Sequence, residues 1–429
     1  MSWVEEDTLL IEDHTRPLIT LAAVLPVNLL DDPAGQEGLT YLTSEMLTRG
    51  AGDYGRAALH EELDVLGAQF HVSSSRTGTT LAGDVLSRNL DAYEALVATV
   101  LTRPRFEPEE FDKLKRETLA EIAQIRDHDD ALGMRFFVRE LFGDHPYGRP
   151  SMGTEASLAN IALSDVVQWY GQHWTNTVLA QAAAGDIEAG RLGAFFAGTV
   201  GRLGTGPERD RSVPPARPMS GHLVTLVDKP DRSQTQVFVG QPTIAATHPD
   251  YLALLVGNTL FGGTFTARLS HEIREKRGWS YGVSSGLGAD RNIGTFTMRF
   301  FPANDQTVPA VRLADAMLQS LVSAGGSLTE VEAAKRYLIQ SHPLGIETPE
   351  RELHQRLGLR LLGRDDDWLE RFVDEVGAVT PEAVSAALRT HLDPDRMLTT
   401  IVCTAASLAE ELEAWDRPTA TRVVAYDSL

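Results

Sequence analysis

Apolar positions along the chain follow two periods, and these divide it into helices and strands. Apolar or alternating runs predict strands over residues 18–27 and 68–85, the second a hairpin turning near Arg76-Thr-Gly78. Helical spacing predicts helices over 39–49, 56–66, 90–101, 108–126 and 164–173. Beyond the middle of the chain the scheme repeats. Strands are predicted near 223–226, 236–239, 282–286 and 294–301, and helices over 248–260, 267–276, 308–323, 329–341 and 381–390. Thr329 with Glu332 has the spacing of a capping box, and Thr380-Pro381 is a strong helix start. Asp365-Asp-Asp367 before Trp368 reads as helix N-terminal acids meeting the macrodipole. Helices alternating with hairpins predict an α+β fold, with helices on one face of largely antiparallel sheets.

The clearest break is Leu203-Gly-Thr-Gly-Pro-Glu-Arg-Asp-Arg-Ser-Val-Pro-Pro-Ala-Arg-Pro218, rich in Gly, Pro and charge and without hydrophobic period. It predicts two domains, 1–203 and 219–429, joined by a linker over 204–218. The two sides resemble each other at a constant offset. Glu61 falls on Glu272, Gly67 on Gly278, Phe70 on Tyr281, and Val72-Ser73-Ser74 on Val283-Ser284-Ser285. Further on, Phe106-Glu-Pro-Glu-Glu-Phe-Asp-Lys-Leu-Lys-Arg116 resembles Leu328-Thr-Glu-Val-Glu-Ala-Ala-Lys-Arg336. Several matches in one order predict an internal duplication.

At 429 residues the chain can bury more than one core, and 42% hydrophobic with 23% charged residues is ordinary for a globular protein. The net charge of -21 argues against nucleic acid or an anionic membrane surface as partner, since both need a cationic face. Cys403 is the single cysteine, so neither an internal disulfide nor a thiolate cluster can form, and its apolar run marks it as a core thiol. The acidic start Met1-Ser-Trp-Val-Glu-Glu-Asp7 lacks the features of a signal peptide, and the apolar stretch from Pro17 to Leu30 is too short to span a bilayer. The expectation is a soluble chain, cytoplasmic, or periplasmic if a leader was removed.

The segment Phe261-Gly-Gly-Thr-Phe-Thr-Ala-Arg-Leu-Ser-His-Glu-Ile-Arg-Glu-Lys-Arg-Gly-Trp-Ser-Tyr-Gly-Val-Ser-Ser285 is the most informative. It resembles the second-half domain of the pitrilysin, insulysin and mitochondrial processing peptidase family: a Gly-Gly turn, Ser/Thr-x-Arg-Leu, a helix ending Arg-x-x-x-Gly, then an aromatic on the next strand. His145-Pro-Tyr-Gly-Arg-Pro150 resembles a turn late in that family's first half. The resemblance implies two homologous domains joined into a clam-like half shell. It also implies an Arg and a Tyr that close over the substrate, which fall on Arg274 and Tyr281. A guanidinium can hold a carbonyl or carboxylate through two donors, and a phenol can donate to a developing oxyanion. The bland reading is that Arg274 pairs with a neighbouring Glu and Tyr281 fills an interface.

The same resemblance implies an inverted zinc motif, His-x-x-Glu-His, on a helix after a glycine in the first half. Two imidazoles one turn apart would bind zinc and the Glu would activate its water. Gly38-Leu-Thr-Tyr-Leu-Thr-Ser-Glu-Met46 occupies that place, with Tyr41, Ser44 and Glu45 in the motif positions. Glu121 stands where the spacing puts the third ligand. No HxxEH or HExxH occurs elsewhere, and His60, His71 and His145 read as surface, packing or turn residues. Glu45 and Glu121 would suit Ca²⁺ or Mg²⁺ better than Zn²⁺ but lack further ligands.

These expectations combine into a non-catalytic subunit, inactive alone and binding no cofactor itself. It would supply Arg274 and Tyr281 to a zinc metalloendopeptidase whose zinc sits on a homologous partner with an intact HxxEH. The ligands are then extended peptides, added as a strand to a sheet edge. A homodimer is left open when that partner is absent. The alternative is a structural or peptide-binding scaffold of the same fold, as in the core subunits of a respiratory complex.

Overall fold

The computed structural model describes residues 2–5, 7–206 and 211–428. Residues 207–210 of the expected linker lie outside this range. The chain divides into two compact units, each drawn from three segments: 1–122, 149–212 and 344–361 in the first; 123–148, 213–343 and 362–429 in the second.

The first unit is built on a six-stranded sheet of β1 (Ser2–Glu5), β2 (Thr8–Glu12), β3 (Leu18–Leu25), β6 (His71–Ser74), β7 (Thr79–Leu86) and β8 (Ala180–Gly185). Its order is β1-β2-β8-β3-β7-β6, and a short β4–β5 hairpin (Gly50–Ala51 and Tyr54–Gly55) stands apart. Only the β2–β8 pair is parallel. Alternate β3 residues Ile19, Leu21, Ala23 and Leu25 share a core with helices Arg56–Leu66, Leu90–Thr102 and Ala189–Gly198. The opposite face, with Ala22, Ala182 and Ala184, takes Leu353 and Leu357 of helix Pro349–Leu361. Alanines there let a helix lie close on the strands. Gly83 in β7 is required for the same reason: a Cβ would come within 2.1 Å of the Tyr93 hydroxyl, which donates to the Gln69 carbonyl.

The second unit repeats this plan. Strands β9 (Leu223–Asp228), β10 (Gln236–Thr243), β11 (Val283–Gly288), β12 (Gly294–Phe300), β13 (Leu398–Cys403) and β14 (Ala420–Ala425) lie in the order β11-β12-β10-β13-β9-β14. Reading inward from β6 and from β11, five strands of each sheet match in order and direction, including the one parallel pair next to the fourth strand. The sixth differs: β1 runs antiparallel to its neighbour and β14 parallel. The duplication read from the sequence is therefore present in the topology. One face packs helices Tyr251–Asn258, Thr307–Ala324 and Pro381–His391. The other receives Leu132 and Phe136 of helix Asp129–Phe142 against Val227 and Val402. Each sheet thus carries its helices mainly on one face, with a single helix across the other.

The repeat is visible in the local geometry. Helix Arg56–Leu66 stops at Gly67 (φ 57°) before β6, and the helical run to Lys276 stops at Gly278 (φ 64°) before β11. Both strands are sheet edges.

Some local expectations shift. The capping box belongs to Ser327 and Glu330, two residues before the expected pair: Glu330 accepts from the Ser327 N–H at 2.9 Å and its hydroxyl at 2.6 Å. The helix consequently runs Leu328–Gly345. Thr380 caps the Ala383 N–H with Pro381 in the first turn, as expected. Of the acids before Trp368, Asp365 and Asp367 are engaged by Arg371 at 2.9 and 3.2 Å rather than only by the helix dipole. No helix among the described residues is long and apolar enough to cross a membrane.

Candidate functional site

In the first unit, Gly38 opens helix Leu39–Met46 in a left-handed conformation (φ 98°) where a Cβ would lie 2.7 Å from the Met152 carbonyl oxygen. The buried Asp32 carboxylate accepts from the N–H groups of Gly38 (2.7 Å) and Thr40 (2.9 Å), closing the first turn. Burial pushes its pKa up to about 6 despite those bonds. Leu39, Leu42 and Met46 pack against Phe111, Leu114 and Ile122 of helix Pro108–Gln124. This contact brings the four degenerate motif positions to one neighbourhood.

Tyr41 and Glu45, one turn apart, are half-buried. Burial, then the charges of Glu45 and Glu121, push the Tyr41 phenol up to about 12. Burial raises Glu45 as well, with Arg49 opposing and Glu121 adding to the rise. Ser44 turns inward: its hydroxyl donates to the Thr40 carbonyl (2.9 Å) and lies 2.6 Å from Ser74 Oγ, which in turn is 2.8 Å from Thr79 Oγ1. Thr79 donates to the Val27 carbonyl at 2.9 Å. The position of the motif's general base is thus built into a hydroxyl run tying the helix to the β6–β7 hairpin. Glu121 is exposed.

This donor set does not fit zinc. It offers no imidazole, a phenol that stays protonated near neutral pH, a hydroxyl committed to protein bonds and two carboxylates. Arg49 and Arg56 also place positive charge in the field of Glu45. Arg49 reaches Glu117 at 2.6 Å and Glu110 at 3.4 Å.

The second unit carries the Arg/Tyr segment. Helix Tyr251–Asn258 runs into a π-helical turn, Thr259–Gly263, and the short helix Arg268–Ser270 runs into another, His271–Lys276. Such turns are rare and re-aim side chains, so the single helix expected over 267–276 is here a wider spiral. Arg268 is structural: its guanidinium forks onto Glu330, with Nη2 at 2.6 Å from Oε2 and Nε bonded to Oε1. Ser270 donates to the Val283 carbonyl (3.1 Å), fixing the turn to β11. Gly262 lets the first π-turn approach β11, since a Cβ would sit 2.6 Å from the Ser285 nitrogen.

Arg274 belongs to the second π-turn and lies over two aromatic rings. Its Cζ is 3.6 Å from the Phe265 ring centroid and 4.9 Å from that of Tyr281. Both rings are open to solvent, Phe265 at 66% and Tyr281 at 83%. The neighbouring acids are engaged elsewhere. Glu272 takes Lys276 and Arg277, and Glu275 takes His271 at 2.7 Å. Among the described residues no carboxylate pairs with Arg274, so the bland alternative of a neighbouring Glu partner finds no support. A guanidinium stacked on rings keeps its in-plane donors free for a carbonyl or carboxylate. Sequence reasoning missed Phe265, because ring-to-guanidinium stacking depends on how the loop 264–267 folds back, which no spacing encodes.

The three histidines singled out in the sequence behave as turn or surface groups. His145 accepts from the Tyr147 N–H at 3.1 Å and contacts the Pro214 carbonyl at 2.7 Å, while His60 and His71 are exposed.

Comparison with known proteins agrees with the geometry. Residues 8–155 match the insulinase (peptidase family M16) domain, and residues 160–338 the peptidase M16 inactive domain. An uncharacterized zinc protease of Mycobacterium leprae is 26% identical over 363 residues, 83% of this chain and 80% of that protein. The peptidase M16 inactive domain from Pseudomonas fluorescens superposes with a TM-score of 0.85 at 24% identity, covering 92% of this chain and 94% of that one. A protease from Helicobacter pylori gives 0.81 at 15% identity, covering 93% and 98%. With both domain matches in order along the chain and the fold in agreement, the protein belongs to the insulinase (M16) family of peptidases.

Proposed function

We propose that this chain is the non-catalytic subunit of a two-chain metalloendopeptidase, lending Arg274 and Tyr281 to an active site whose catalytic metal and general base lie on a homologous partner with an intact HxxEH. One observation carries the reading: the guanidinium of Arg274 lies over two exposed rings with no carboxylate partner among the described residues, while the motif positions on helix Leu39–Met46 hold Tyr41, Ser44 and Glu45. A scaffold needs neither a free guanidinium nor a phenol at 83% exposure beside it. In this role Arg274 holds a substrate carbonyl or carboxylate through paired donors, and Tyr281 donates to the oxyanion formed on the scissile carbonyl. Tyr281 lies two residues before the start of β11, an edge strand, so an extended peptide added along that edge would pass the pair.

The test is isolation of the tagged chain from its host, with metal content and peptide cleavage measured on the chain alone and on what co-elutes. The expected result is a chain inert by itself, and chelator-sensitive peptide cleavage when a chain bearing HxxEH accompanies it. A chain that elutes alone and never stimulates such a partner supports the scaffold reading instead.

A further inference from the structure

We propose a metal site in the second unit, unrelated to the peptidase zinc, formed by His248, Asp250 and His391 and suited to a zinc-like transition ion. One ligand atom from each of the three lies within 4.8 Å of the others. His391 Nε2 is 2.7 Å from Asp250 Oδ2, and His248 Nδ1 is 3.9 Å from the same oxygen. The two imidazole rings meet edge to face with centroids 4.9 Å apart. Two imidazoles therefore converge on one carboxylate, and among the described residues no Lys or Arg pairs with it. A divalent ion would satisfy all three at once.

The positions are well fixed. His391 is the last residue of helix Pro381–His391, and its carbonyl accepts from Gln241 Nε2 at 3.0 Å while Gln241 Oε1 accepts from the Asp393 N–H at 2.9 Å. Its side chain is only 11% exposed. Asp250 is the N-cap residue of helix Tyr251–Asn258, which packs against the His391 helix, and its N–H donates to His248 Nδ1 at 3.0 Å. Zinc bonds of about 2.1 Å at tetrahedral angles place donors about 3.4 Å apart. The observed separations fall on either side of that distance, so gathering the ligands takes side-chain rotation, and binding through His248 Nδ1 gives up its bond from the Asp250 N–H. Two His and one carboxylate leave the fourth position to water, and this donor set selects zinc or its neighbours nickel and copper over calcium or magnesium. A bound ion would tie the end of one helix to the start of the other.

The proposal is independent of the subunit reading above. It is tested on the full chain, stripped with chelator and titrated calorimetrically with zinc chloride. The expected result is one ion per chain, with affinity lowered at least about tenfold in His248→Gln and in Asp250→Asn and abolished in the double variant. His248 sits in a surface turn, so circular dichroism of the metal-free His248→Gln variant should match the parent. Zinc should raise the melting temperature of the parent and not of the double variant. A Glu45→Gln/Glu121→Gln variant should bind zinc like the parent. No zinc uptake by the parent, uptake undiminished in the double variant, or loss only in the Glu45/Glu121 variant would each overturn the proposal.

Discussion

Glu330→Gln should loosen the second unit by an amount the structure fixes. The Glu330 carboxylate accepts from Arg268 Nη2 at 2.6 Å and from its Nε, and from the N–H and hydroxyl of Ser327 at 2.9 and 2.6 Å. These bonds, those of Arg268 foremost, hold it down to about 2 from an ordinary 4.5. Taken at face value the difference corresponds to about 3 kcal/mol. The pair is about one-third exposed, Glu330 at 34% and Arg268 at 28%, and solvent screening reduces this to about 1–2 kcal/mol. Glutamine keeps an oxygen for the Ser327 cap but removes the charge. Because the folded-state pKa is depressed, the stabilisation is present above the unfolded value near 4.5 and is lost as pH falls through about 2. Urea titrations followed by circular dichroism should show the variant less stable than the parent by about 1–2 kcal/mol at pH 7, with the two proteins converging as the pH approaches 2. A variant equal to the parent at pH 7, or a gap that persists at pH 2, would refute the assignment of Arg268 to a structural role.

Other outcomes follow from single observations. Phe265→Ala removes the ring 3.6 Å from Arg274 and should cost under about 1 kcal/mol in stability, while raising KM more than it lowers kcat in an active complex; an unchanged KM would count against the stacking role. Ser44→Glu, which restores the motif's acid, buries a carboxylate in a hydroxyl network and should destabilise the first unit by about 2–4 kcal/mol in denaturant, whereas a neutral effect would mean that the network yields readily. Cys403 is fully buried in β13 with its thiol pushed up to about 12 by burial, so a thiol reagent should react at the rate of unfolding; fast reaction with the native chain would contradict this.

Much of this fold was legible because its elements are amphipathic. Helix Arg56–Leu66 and strand β12 show polar residues against a buried face, and their sequence periods find them. Strand β8, Ala-Gln-Ala-Ala-Ala-Gly, was not legible: it is buried on both faces, so alternation vanishes, and its alanines carry weak strand preference. Helices Asp129–Phe142 and Pro349–Leu361 escaped assignment to a sheet face, since each packs on a sheet mostly built from the other part of the sequence. At the site, Arg274 and Tyr281 came from the resemblance of the Gly-Gly to Tyr segment. Their environment did not, because it depends on π-helical turns and on which acids find other cations. The inward turn of Ser44 was equally hidden, being set by Ser74 and Thr79 on a distant hairpin.

The most direct test of the account is kcat for peptide cleavage by the complex of this chain with an HxxEH-bearing partner, compared between the parent and Tyr281→Phe. Removing one oxyanion donor should lower kcat by about 10²–10³ while the complex still assembles and keeps its zinc. An intact, zinc-loaded complex that cleaves as fast with phenylalanine at position 281 would show that the pair takes no part in catalysis.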